Sequence, residues 1–152
     1  MVAAMLNPAL VATIVAEAGR GYQKESGNGM PWMLSFVAAP MVLHRGTREA
    51  LPGSMRTHLA TWVSRNPVLR AGFPQRATGL VEHVREGLRF GLAHDVFQMD
   101  GDRLGVTSRR RPKGFEIPPE LGEIIRKANL AGRWMAKSES PATIFAVLGV
   151  AP

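Results

Sequence analysis

The chain has 152 residues, 45% of them hydrophobic, with no cysteine and a formal net charge of +7. That length and apolar fraction suit one domain with a real core and exclude wholesale disorder, and the lack of cysteine excludes disulfides, thiolate catalysis and Cys-ligated zinc. Arg supplies fifteen of the nineteen basic residues, a balance that suits phosphate or carboxylate partners and that an Arg-rich codon preference would also produce.

The opening MVAAMLNPAL carries no basic leader, so no signal peptide is expected and the cytoplasm is the expected compartment. Asn7-Pro8 reads as an N-cap followed by proline at the first helical position. Leu10, Ile14, Ala18 and Tyr22 then recur every four residues, which predicts a helix over about 8–22 that Gly19, Gly21 and then Ser26-Gly27-Asn28-Gly29 bring to an end. The apolar run from Met30 to Leu43 is broken by Pro31, Ser35 and Pro40 and falls short of the roughly 20 apolar residues a bilayer needs. Its length favours a helix over about 31–44, kinked at Pro40. HRGTREALP follows at 44–52.

Ser54 is placed to cap a helix over about 55–65, with Met55, Leu59, Trp62 and Val63 on one face. Pro74 then opens a longer helix over about 74–93, striped by Ala77, Val81, Val84, Leu88 and Leu92. Asp100-Gly101-Asp102 between two short apolar runs predicts a β-hairpin over about 96–107. A basic connector, SRRRPKG, comes next. Helices over about 118–137 and 141–148 complete the chain, the last capped by Ser140-Pro141 and stopped by Gly149. The expected fold is therefore mainly α with one β-hairpin, a single helical domain spanning 1–152 with some likeness to a winged helix.

No motif in the sequence points to chemistry. His44, His58, His83 and His94 include no pair at the spacing of a metal-binding helix, and no Cys supplements them, so no metal is expected. There is no nucleophile elbow and no phosphate-binding loop; Gly27-Asn28-Gly29 lacks the Lys-Ser/Thr such a loop needs. No cofactor and no catalytic residue is expected. Arg109, Arg110, Arg111 and Lys113, beside the hairpin, are candidates to touch DNA or an acidic partner, as wing cations do; a solvated linker is the plainer account. Trp32, Trp62 and Trp134 all stand in apolar stripes and read as core.

Four blocks carry a resemblance, in order along nearly the whole chain: NPALVATIVAEAGRGY, PWMLSFVAAPMVLHRGTREALP, MRTHLATWVSRNPVLRAGFPQRATGLVEHVREGLRFGL and GRWMAKSESPATIFAVLGVAP. They resemble the middle component of three-component ABC ATPase systems, similar in layout to the Lamassu-type systems of bacterial conflict. LHRGTREALP and SPATIFAVLGVAP are the most specific. The resemblance implies a non-catalytic adaptor that sits between an SMC- or Rad50-like ATPase and an effector, often a nuclease, in anti-phage or anti-plasmid defence. DNA contact through the complex is a further expectation, and no membrane is expected because the longest apolar run is too short to span one. The alternative is a free-standing winged-helix DNA-binding regulator. Within HRGTREALP, Arg45, Arg48 and Glu49 are the candidate partner-binding residues. The competing account has Thr47 and Glu49 satisfying helix ends while Arg48 bonds backbone carbonyls.

Overall fold

In the computed structural model, which describes residues 7–107, 116–138 and 140–151, the first helix is the one around which the others pack. Helix α1 (Pro8–Ser26) begins as its caps dictate: the Asn7 side chain accepts from the Ala9 amide at 2.7 Å, and Pro8 needs no hydrogen-bond acceptor. It runs one turn past the predicted end. Gly19 and Gly21 do not stop it; they let other elements approach. A Cβ on Gly21 would overlap the Asn129 carbonyl oxygen, and one on Gly19 would come within 2.8 Å of Val106. Gly27, left-handed at φ 75°, ends the helix, its amide donating to Gln23 O at 2.8 Å.

The predicted 31–44 helix is corrected at its start. Met30–Pro31 is a two-residue strand, β1, and Trp32–Leu34 a single 3-10 turn; helix α2 covers only Ser35–Leu43. Pro31 is extended, and the Trp32 amide bonds to Asp102 O at 2.9 Å, across to the hairpin. Helix α2 runs through Pro40, which forgoes only its own amide bond. From Val37 to Val42 every residue of it is buried, which is why it shows no apolar stripe.

Helix α3 (Arg45–Ala50) is short. Helix α4 (Leu59–Arg65) starts four residues later than expected, because 51–58 is a loop. Two indoles hold that loop: Trp62 Nε1 donates to Ala50 O at 2.8 Å and Trp134 Nε1 to Thr57 O at 2.6 Å, while the rings pack edge to face with centroids 5.6 Å apart. The predicted 74–93 helix is two: α5 (Pro67–Gly79) and α6 (Val81–Ala93), broken at Leu80. Pro67 takes the first helical position, after Asn66, and Pro74 lies inside α5.

The hairpin forms as expected from β2 (Phe97–Asp100) and β3 (Arg103–Val106), with Gly101 at φ 62° in the turn. Strand β1 adds to β3, Met30 opposite Leu104, so the sheet is antiparallel in the order β1-β3-β2. Helix α7 (Pro119–Ala136) then crosses α1 closely enough that a Cβ on Gly132 would overlap the Ala18 carbonyl. Helix α6 meets the other side of α1, where Gly87 lies against Val11. Helix α8 (Pro141–Leu148) is capped by Ser140, whose Oγ accepts from the Thr143 amide, and is ended by Gly149 at φ 72°. Ile14, Val15, Val37, Met41, Ile124 and Ala128 lie at the centre, each at most 2% exposed. Among the described residues no helix is long and apolar enough to cross a membrane.

Candidate interaction site

The 44–51 segment is built from its cap outward. His44 is extended, at φ −82° and ψ 114°, and caps α3: its Nδ1 accepts from the Thr47 amide at 3.1 Å and lies 2.8 Å from Thr47 Oγ1. An accepting Nδ1 carries no proton, so the neutral ring is protonated at Nε2. Burial, and then the guanidinium charges of Arg76 and Arg48, hold its pKa below the ordinary 6.5. Thr47 is fully buried; its Oγ1 accepts from Arg76 Nη2 at 3.3 Å, and the same Nη2 donates to Leu69 O at 2.8 Å.

Arg48 is 1% exposed. Its Nη1 donates to Val42 O at 2.7 Å, in the last turn of α2, and its Nη2 to Glu120 Oε1 at 3.3 Å, in the first turn of α7; Glu123 Oε2 is 3.8 Å from its Nε. Arg48 therefore has no surface to offer a partner, and its place among the contact residues is corrected: it fastens α2, α3 and α7 together. The spacing could have revealed this. His44, Thr47, Arg48 and Leu51 stand at i, i+3, i+4 and i+7, one face of a helix, and that face is the inner one, with Thr47, Arg48 and Leu51 buried.

Arg45 and Glu49 stand on the opposite face. They pair at 2.8 Å with side chains 78% and 54% exposed. The partner hydrogen bond raises the Arg45 pKa and lowers that of Glu49. Of the three residues singled out in the segment, these two form an outward ledge whose footing is the buried Arg48.

Arg109, Arg110, Arg111 and Lys113 lie outside the described residues. Within the described residues the hairpin tip is acidic rather than basic: Asp100 and Asp102 flank Gly101, and Arg103 Nη1 is bonded to Gly29 O at 2.7 Å. The tip is thus a poor match to phosphates. The histidines stay apart. His44 caps α3, His58 precedes α4, His83 lies on α6 and His94 stacks on Phe90 at 4.1 Å. Among the described residues no cluster of three His, Cys, Asp or Glu side chains is placed to hold a metal ion.

A second surface was hidden by the core assignment of the tryptophans. Trp62 and Trp134 are core, at 4% and 3% exposure, but Trp32 is 37% exposed. It borders an open groove of about 520 Å³, together with Phe36, Val81, Arg85, Phe145 and Val150. Trp32 and Phe36 meet edge to face, with centroids 5.8 Å apart.

Fold and surface together define a mainly helical α+β protein with a small three-stranded sheet, whose surface includes a charged ledge and an apolar groove. A family model described as ABC-three component (ABC-3C) system Middle Component 3 matches residues 1–152, and the chain belongs to that family. It is a middle component, which works with an ABC ATPase and the other component of such a system. No curated protein and no solved structure matches the chain.

Proposed function

We propose that this middle component is a non-catalytic adaptor. It bridges an SMC- or Rad50-like ABC ATPase and an effector, such as a nuclease, in a cytoplasmic complex that acts against phage or plasmids. DNA is met through the assembled complex. The observation that supports this best, beside family membership, is the Arg45–Glu49 ledge. A solvent-exposed ion pair adds little to folding, yet this one stands on a short helix whose inner face carries a buried arginine that reaches two other helices. Such a rigid, charged edge fixes the register of a partner and speeds its approach.

Co-expression with the cognate ATPase tests the reading. Arg45→Glu with Glu49→Arg reverses the direction of the pair while keeping net charge, and Arg45→Ala with Glu49→Ala removes it. Both variants should fold as wild type and lose the ATPase in co-purification, at least in part and more steeply as salt rises. Full recovery of the ATPase with both variants at every salt concentration would remove the ledge from the interface.

A further inference from the structure

From Ala50 to Val81 the chain carries Arg56, Arg65, Arg70 and Arg76 and not one Asp or Glu. That stretch makes the 51–58 loop, α4 and α5. The two helices pack on each other and on α8, which has no charged residue. Lys127 Nζ, on α7, donates to Leu51 O at 3.3 Å and brings a fifth cation to the border. None of the five is ion-paired among the described residues. The nearest carboxylates along the chain, Glu49 and Glu82, are held by Arg45 and Arg85, and Glu123, one turn before Lys127, faces Arg48 at 3.8 Å. The aspartates, Asp95, Asp100 and Asp102, all stand on or beside the hairpin.

The four guanidiniums divide by exposure. Arg70 and Arg76 are partly buried and bonded inside the fold, Arg70 to Val147 O, Arg76 to Leu69 O and Thr47 Oγ1. Arg56 and Arg65 are exposed, and their side chains make no hydrogen bond among the described residues. A few loop residues and the seven of α4 separate these two, so their backbones lie at most about 20 Å apart, inside the roughly 34 Å of one duplex turn. The exposed residues around them are small or polar: Ser54, Ala60, Ser64, Ala71, Gln75 and Thr78. Val68 is the one large apolar side chain exposed there, and the aromatic rings of the stretch, Trp62 and Phe73, are buried. A protein partner would need apolar or aromatic anchors at the centre of its contact. A single strand would need aromatic faces on which to stack its bases. The phosphates of a duplex need only cations and small polar donors.

We infer that the face made by the 51–58 loop, α4 and α5 lies on the phosphate backbone of duplex DNA. Arg56 and Arg65 contact phosphates there, and Arg70, Arg76 and Lys127 add to the attracting field without touching the duplex. The contact carries no sequence readout, because it reaches no base edge. The inference rests on the adaptor reading, in which DNA is met through the assembled complex, and it gives this chain a share of that contact through residues other than the Arg45–Glu49 ledge and the basic connector.

Fluorescence anisotropy of the full chain with a short fluorescein-labelled DNA duplex of mixed sequence tests it, at salt concentrations from about 50 to 200 mM. Wild type should bind with a Kd that rises steeply with salt. Arg56→Ala with Arg65→Ala removes two phosphate contacts. The slope of log Kd against log salt should then fall by about 1.8, and Kd at the lowest salt should rise about tenfold or more. Both side chains are exposed, so circular dichroism should match wild type. Arg85→Ala with Arg89→Ala removes the same charge from α6 and should keep the wild-type slope. An unchanged slope in the 56/65 variant, an equal loss in the 85/89 variant, or no binding by wild type at the lowest salt overturns the inference. Co-purification with the cognate ABC ATPase separates this from the adaptor reading, and the 56/65 variant should retain the ATPase. Its loss would make the face a protein interface, overturning the inference while the adaptor reading stands. A wild-type chain that binds the duplex but neither the ATPase nor the third component keeps the face assigned and ends the adaptor reading.

Discussion

Removal of the buried Arg48 guanidinium separates the roles of the two faces of α3. In Arg48→Met the stem is largely replaced but the bond from Nη1 to Val42 O is lost. That carbonyl lies in the last turn of α2, where the helix supplies no amide for it, so it becomes a buried acceptor without a donor. A charged hydrogen bond of this kind contributes about 1.5–3 kcal/mol. The ion pairs add less, because Glu120 is 56% exposed and Glu123 33%, and pairs of that exposure are worth at most about 1 kcal/mol. Release from burying the guanidinium offsets part of the loss. The net cost for Arg48→Met is about 2–3 kcal/mol, a fall in Tm of roughly 4–12 °C for a chain of this size. Arg48→Ala adds a cavity and should cost about 3–5 kcal/mol. Urea titration followed by tryptophan fluorescence measures this directly, because Trp62 and Trp134 are buried. Arg45→Ala, on the outer face, should leave the midpoint unmoved. An unchanged midpoint for Arg48→Met would refute the assignment of Arg48 as the fastening of the three helices.

Two further outcomes follow from the same geometry. Gly132→Ala places a methyl on the Ala18 carbonyl, backbone against backbone, so α1 and α7 must separate; a loss of about 3 kcal/mol or more is expected by calorimetry, and wild-type stability would contradict the close crossing. The His44 cap gives a pH dependence. The folded pKa lies below the unfolded 6.5, so the unfolded chain takes up the proton first. The cap's contribution, about 1 kcal/mol, is complete above 6.5 and is lost as pH falls through the lowered folded value. In His44→Asn, which caps without titrating, the urea midpoint between pH 7 and 5.5 should change less than in wild type; equal slopes would remove His44 as the cause.

What could be read from the sequence was whatever the chain states locally. Asn7-Pro8 and Ser140-Pro141 mark helix starts because capping involves neighbours in sequence, and Asp100-Gly101-Asp102 marks its turn for the same reason. Misreadings came where one residue type serves two ends. A glycine such as Gly21 can stop a helix or admit Asn129 of another, and only the crossing of α1 with α7 decides between them. A proline can open a helix, as Pro67 does, or sit within one, as Pro74 does. Strand β1 has only two residues, defined by Leu104 and Arg103 far along the chain, and no local pattern could announce it. Arg48 looked like surface because arginine usually is; its partners, Glu120 and Glu123, are distant in sequence. The groove was hidden because Trp32 and the buried tryptophans belong to similar apolar stretches, and exposure follows from what α5, α6 and α8 leave uncovered.

The account as a whole stands on one dependence: the ABC ATPase and the third component of this system meet through this chain. Analytical ultracentrifugation of the three purified proteins measures it. The account predicts a single faster-sedimenting species containing all three, and two separate boundaries for the ATPase and the third component when this chain is left out. Association of those two to the same extent in its absence would contradict it.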